Sequence, residues 1–138
     1  MAVWKRKLVR KDKPWGHEDR SSQSFGSTSK IIHLKEGHRT SLKKMKTKNM
    51  TIICLVGLVR VTCPEEKEFT DEGFFMLSPG DQILIEHGSP FRLEALKDSV
   101  LLEITDSTKG EFLQGIEMLE DDYGRKGIHP GIVNFTTK

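Results

Sequence analysis

At 138 residues the chain is long enough for one domain with a real core and too short for two comfortable ones. Hydrophobic residues make up 36% and charged residues 30%, and the longest apolar stretch, around residues 52–59, falls far short of a membrane-spanning helix. A net charge of +2 excludes a polycation, although the positive charge is unevenly spread.

The chain opens on a basic segment containing Lys5, Arg6, Lys7, Arg10, Lys11 and Lys13. This segment lacks the apolar stretch and small-residue cleavage site of a secretory leader, so the cytoplasm is the expected location. Residues 21–29, SSQSFGSTS, form a polar linker, and residues 1–29 are therefore expected to be a basic arm and linker ahead of the folded body.

From residue 30 onward, short β-like runs alternate with turn residues in the manner of an all-β sandwich or barrel. The expected strands cover residues 30–34, 51–56, 58–63, 73–77, 82–86, 91–96 and 100–105. Gly57, Ser78-Pro79-Gly80-Asp81, His87-Gly88-Ser89-Pro90 and Lys97-Asp98-Ser99 punctuate them. Residues 110–119 carry Phe112, Leu113, Ile116 and Leu119 at helical spacing, weakened by Gly115, and are read as a short helix or irregular cover. The body thus runs over residues 30–126 and residues 127–138 are a tail. Cys54 and Cys63 sit among Ile, Leu and Val, where thiols pack as small hydrophobes, so reduced core cysteines are expected rather than a disulfide.

Two glycine-framed stretches carry the family signal. Gly37 and Gly57 bracket the first, and Gly80 and Gly88 punctuate the second, with LSPGD at residues 77–81 followed by an alternating Ile83/Ile85 strand. This frame resembles the two motifs of the cupin superfamily. Lys13-Pro14-Trp15-Gly16, Ser41-Leu42, Phe91-Arg92-Leu93-Glu94, Leu102-Glu103-Ile104 and Asp121-Asp122-Tyr123-Gly124-Arg125 narrow the resemblance to the cupin domain of type II mannose-6-phosphate isomerases, without the guanylyltransferase domain. The resemblance implies a single cupin double-stranded β-helix, a jelly-roll barrel, and a homodimer formed through sheet edges and N-terminal arms.

By the same resemblance, the family's four metal-ligand positions fall on Lys43, Met45, Met50 and Phe91. None suits zinc, manganese or iron: a protonated lysine repels the cation and Phe has no lone pair. Two thioethers beside a charged lysine are a poor Cu(I) site, and Met45 and Met50 read better as gap-filling core residues. His33, His38 and His87 show no ligand spacing among themselves and are expected to be solvated or turn histidines. No metal or other cofactor is expected in the barrel.

The polar residues left facing the pocket are Lys43, Arg92 and Glu103, with Ser41 and Thr47 at its rim. Lys43 and Arg92 would attract an anion, so a sugar phosphate or nucleotide is the favoured ligand class. Alternation along residues 43–48 places Lys44, Lys46 and Lys48 outward, as a solvated face. The basic arm carries Trp4 and Trp15, but no nucleic-acid module is recognisable and the net charge is small, so nucleic acid is not an expected partner; neither is a membrane.

Three functional expectations follow. The favoured one is a metal-free, degenerate relative of the isomerase cupins that binds a small anion without metal-dependent isomerase activity. An alternative is an active isomerase or epimerase on a phosphorylated or nucleotide-linked sugar, with Lys43 as base or Schiff-base nucleophile and with Arg92 and Glu103 in support. The third is a non-catalytic dimerisation scaffold whose pocket is plugged by Met45, Met50 and Phe91.

Overall fold

The computed structural model describes residues 2–22, 26–64, 73–106, 115–120 and 127–130. Its strands, in chain order, are β1 (Val9–Lys13), β2 (Gly16–Arg20), β3 (Ser27–Leu34), β4 (Leu42–Met45), β5 (Met50–Val56), β6 (Val59–Thr62), β7 (Phe74–Leu77), β8 (Gln82–Ile85), β9 (Arg92–Ala95), β10 (Ser99–Asp106), β11 (Gly115–Glu120) and β12 (Gly127–Pro130). The seven strands expected from apolar runs all form.

One layer is a six-stranded sheet in the order β1-β2-β3-β10-β5-β8. The other consists of two three-stranded sheets, β12-β11-β4 and β7-β6-β9. They meet where Lys43 and Phe91 exchange both backbone hydrogen bonds, Lys43 N donating to Phe91 O at 3.0 Å and Phe91 N to Lys43 O at 2.8 Å. All the pairings are antiparallel.

Alternation along the strands drives the apolar set between the layers. Met50, Ile52 and Cys54 of β5 and Ile32 and Leu34 of β3 meet Val59 and Val61 of β6 and Leu93 of β9 in one buried cluster. Phe91, Ile52, Leu93, Leu101, Val59 and Val61 are almost wholly removed from water, each worth about 2 kcal/mol relative to exposure. Cys54 and Cys63 are buried free thiols, as expected, and burial raises the Cys54 thiol above its ordinary value.

Two expectations of the architecture require correction. The folded body starts at Val9 rather than residue 30, because β1 and β2 form a hairpin that pairs with β3 and extends the large sheet. Pro14 and Trp15 make its turn; Trp15 is buried in the core, so its indole is not offered to a nucleic-acid base. At Gly16 the chain passes so close to β3 that an added Cβ would lie 2.0 Å from the carbonyl oxygen of His33, which explains a glycine there. At the other end, residues 115–120 form strand, not helix, pairing with β4 and β12, and residues 127–130 of the expected tail are that last strand. The remainder of the 110–119 reading lies outside the described residues. No helix among the described residues is long and apolar enough to cross a membrane.

Candidate functional site

The β1–β2 hairpin carries charge into the barrel. On β2, Glu18 alternates with the outward His17 and Asp19 and is buried, as is Glu103 on β10. Arg20 stands opposite Lys30, and Lys30 opposite Glu103, so one inward row crosses β2, β3 and β10 as base, base, acid.

Glu18 is the hub of this group. Arg20 donates to Glu18 Oε1 from Nε at 2.9 Å and from Nη2 at 2.6 Å. Lys13 Nζ lies 3.7 Å from the same oxygen, and Lys30 Nζ lies 3.6 Å from Glu18 Oε2 and 3.9 Å from Glu103 Oε1. The side chains of Lys13, Glu18 and Glu103 are all close to fully buried.

Burial alone would raise the Glu18 carboxyl, but Lys30, Lys13 and Arg20 outweigh it and hold the group at about 2. Lys13 responds in the opposite sense. Burial pushes its ammonium down, Glu18 pulls it back, and Lys43, Arg20 and Lys30 push further, leaving it at about 7. Lys13 should therefore titrate near 7 in carbon-13 NMR of the dimethylated protein, against the ordinary 10.5. A Lys13 resonance titrating above 10 would refute this account.

Lys43 and Glu103 of the expected site are both brought to this end of the barrel. Lys43 is close enough to Lys13 to depress it, and its Nζ lies 5.8 Å from the centre of the Phe91 ring. Arg92 is placed differently. Its neighbours Phe91 and Leu93 point into the core, which sends Arg92 to the other face of β9. There it is buried, and its Nε donates to Thr40 O at 3.1 Å. That contact stitches residues 37–43 along β9, where Thr40 N also donates to Leu93 O at 2.8 Å and Thr40 Oγ1 accepts from Leu93 N at 3.0 Å.

Ser41 is buried beside Thr40, whereas Thr47 is exposed. Lys46 is exposed as expected but Lys48 is buried, because β4 ends at Met45 and the alternation does not run on. His33 stacks on His17; His38 Nδ1 lies 3.2 Å from Glu36 O, and His87 is exposed in a turn. The sequence does not point to Lys13, Glu18 and Arg20, because Gly16-His17-Glu18-Asp19-Arg20 has no apolar alternation to mark a strand, and Lys30, though in the expected strand 30–34, gains its partner Glu18 only from β2.

Solved structures show the same architecture. KdgF from Halomonas sp. superposes with a TM-score of 0.63 over 80% of this chain and 100% of its own, at 14% identity. An RmlC-like cupin from Shewanella frigidimarina gives 0.61 over 76% of this chain and 88% of its own, at 11% identity. The fold is a cupin fold.

A variant of oxalate decarboxylase from Bacillus subtilis contains a similar cupin barrel, with a TM-score of 0.63 over 79% of this chain and 31% of that one, at 17% identity. In sequence, the chain is 32% identical over 115 residues to the alginate biosynthesis protein AlgA of Pseudomonas aeruginosa. That match covers 82% of this chain and 22% of AlgA, so the chain spans about a fifth of that relative. No family model matches the chain.

The cupin barrel here does not offer a metal shell at the positions the resemblance assigns. Met45, Met50 and Phe91 are buried in the apolar core and Lys43 lies against the Phe91 ring, so the four supply two thioethers, an aryl ring and an amine. No reaction step through a metal at those positions is consistent with that donor set.

Proposed function

We infer that this chain is a sugar-related cupin that binds a small phosphorylated sugar, or a comparable anion, at the charged end of its barrel and does so without a metal at Lys43, Met45, Met50 and Phe91. The observation that carries this reading is the gathering of Lys13, Arg20 and Lys30 around Glu18 and Glu103, with Lys43 close enough to depress Lys13. Guanidinium and ammonium donors grouped at one end of the barrel match phosphate oxygens. The carboxylates accept hydrogen bonds from hydroxyl groups, so a polyhydroxy anion uses both signs of charge. The similarity to an alginate biosynthesis protein and the resemblance to the isomerase cupins support a sugar as the neutral part of the ligand.

Calorimetric titration with mannose-6-phosphate, fructose-6-phosphate, inorganic phosphate and a nucleotide tests this. Saturable binding of a sugar phosphate, weakened about tenfold or more by Lys30→Met and by Lys43→Ala, is the expected result. Failure of every ligand to bind would remove the reading. Conversion of mannose-6-phosphate to fructose-6-phosphate that disappears in Lys43→Ala would replace it with the isomerase alternative.

A dimerising scaffold is the second reading, favoured by apolar side chains on the outer face of the large sheet. Leu55, Leu84 and Ile104 are exposed there, with Leu84 71% accessible, and a second copy of the chain would cover them.

A further inference from the structure

The outer face of the β1–β2–β3 hairpin holds a second group of chemistry-bearing residues, separated from the barrel by the thickness of the sheet. His17 on β2 stands directly opposite His33 on β3, and their rings stack with centroids 4.2 Å apart and planes inclined by 22°. Asp19, two residues along β2, projects from the same face, and His33 Nε2 lies 3.6 Å from Asp19 Oδ2. One donor atom from each of the three falls within 4.8 Å of the others.

The decisive feature is His17 Nε2. It is shut off from solvent and has no hydrogen-bond partner among the described residues. A buried ring nitrogen of this kind calls for an occupant, because leaving it unsatisfied costs the full desolvation of a polar atom. Stacking against His33 does not satisfy it, since a lone pair in the ring plane cannot bond to the face of a parallel ring.

Arg10 bears on the chemistry. Its Nε donates to Asp19 Oδ1 at 2.9 Å and its Nη2 to Oδ2 at 3.3 Å, which leaves lone pairs on both oxygens. Carboxylates that ligate metals are commonly held by such an outer hydrogen bond, so Arg10 orients Asp19 without consuming it. Asp12 stands opposite His17 on β1 and adds negative charge beside the pair. A groove of about 290 Å³ lined by Gly16, His17, His33, Val56 and Ser99 opens next to the imidazoles and leaves room for solvent as a fourth ligand.

We propose that His17, His33 and Asp19 form an outer-face binding site for a divalent transition metal of the zinc class, independent of the barrel site. Two imidazoles and one carboxylate are the donor set that zinc and nickel accept, and an i, i+2 pair facing one residue of the adjacent antiparallel strand brings three donors to one point. Metal–nitrogen bonds of about 2 Å need the donors to close by roughly 1 Å and one imidazole to turn out of the stack so that both in-plane lone pairs meet at one ion, a change made by rotations about χ1 and χ2. The ion would give His17 Nε2 its partner and pin β2 to β3.

The test uses the untagged full chain, freed of metal by chelator dialysis, titrated calorimetrically with Zn²⁺ and Ni²⁺. One ion per chain should bind with micromolar or tighter affinity, and His17→Ala and His33→Ala should each weaken it about 100-fold or more. His38→Ala and His87→Ala should leave it unchanged, and Co²⁺ should give the intense visible bands of a four-coordinate site. Nitrogen-15 NMR of the wild-type imidazoles keeps the test decisive if a variant fails to fold: Zn²⁺ should shift His17 Nε2. Affinity no tighter than millimolar, affinity indifferent to both histidines, or an unmoved His17 Nε2 would overturn the proposal. Sugar-phosphate binding by the barrel is unaffected by either result.

Discussion

Replacing Glu18 with glutamine should lower the thermal midpoint by about 10 °C, the equivalent of roughly 3 kcal/mol in a domain of this size. The side chain remains the same size, so the effect is electrostatic. Glutamine leaves Arg20, Lys13 and Lys30 gathered in a buried site with Glu103 as the remaining carboxylate of the group, and removing one partner of a buried ion cluster strands the others. An independent route gives a similar size. The gap between an ordinary 4.5 and about 2 in the fold converts, at about 1.4 kcal/mol per pH unit, to about 3 kcal/mol.

The pH dependence fixes the sign. Because the folded value of Glu18 lies below the unfolded one, its contribution is fully present above about pH 4.5 and is lost as pH falls towards 2. Lys13 gives a slope of the same sign in a higher pH window. Its folded value is also lowered, so the unfolded chain binds the extra proton between about 7 and 10.5 and stability rises with pH across that window. Denaturant titrations from pH 2 to 6 should show a steep acid loss in the parent that is shallow in Glu18→Gln. In the variant Lys13, deprived of its main attraction, should titrate below 7. Equal acid slopes in the two proteins would mean that Glu18 is not the group responsible.

The uneven legibility of the sequence has one physical source. Strands β3, β5, β6, β8, β9 and β10 announce themselves because each buries an alternating apolar set, and Gly37, Gly57, Gly80 and Gly88, the frame on which the fold was recognised, all adopt positive φ. Strands β1 and β2, VRKDK and GHEDR, bury charge instead of hydrocarbon. Their inward residues are satisfied by one another across strands, a relation that no one-dimensional periodicity records. Lys43 could be placed because the family resemblance assigns it a barrel position, and Glu103 because it stands in the expected strand 100–105 with apolar neighbours. Glu18, their most heavily paired companion, could not, since it lies in a stretch whose composition is that of a solvated arm. Arg92 illustrates the converse: a residue next to a pocket position in sequence is turned to the opposite face by the two-residue period of the strand, and there it holds the Thr40 carbonyl.

Gly57→Ala should be severely damaging for a change of one methyl group, costing about 3 kcal/mol or more. Gly57 has φ of +96°, where an L residue pays about 1–2 kcal/mol. Crowding adds to this: an added Cβ would lie 2.2 Å from Ser99 Oγ, 2.5 Å from Asp98 O and 2.7 Å from Ser99 Cα. Two of those three atoms are backbone, so no rotamer change relieves the overlap, and overpacking of this kind costs roughly 1–3 kcal/mol more. Ser99 is itself committed, its Oγ accepting from Leu58 N at 3.1 Å and donating to Lys97 O at 2.7 Å. Displacing it loosens the start of β10, where the pairing with β5 already shifts register between Val100 and Leu101. Gly37→Ala offers the control. Gly37 shares a positive φ, of +79°, but an added Cβ meets nothing within 4 Å, so only the conformational cost applies. Denaturant midpoints should therefore fall at least twice as far for Gly57→Ala as for Gly37→Ala. Equal losses would show that backbone conformation alone, and not the approach of β10, requires the glycine at 57.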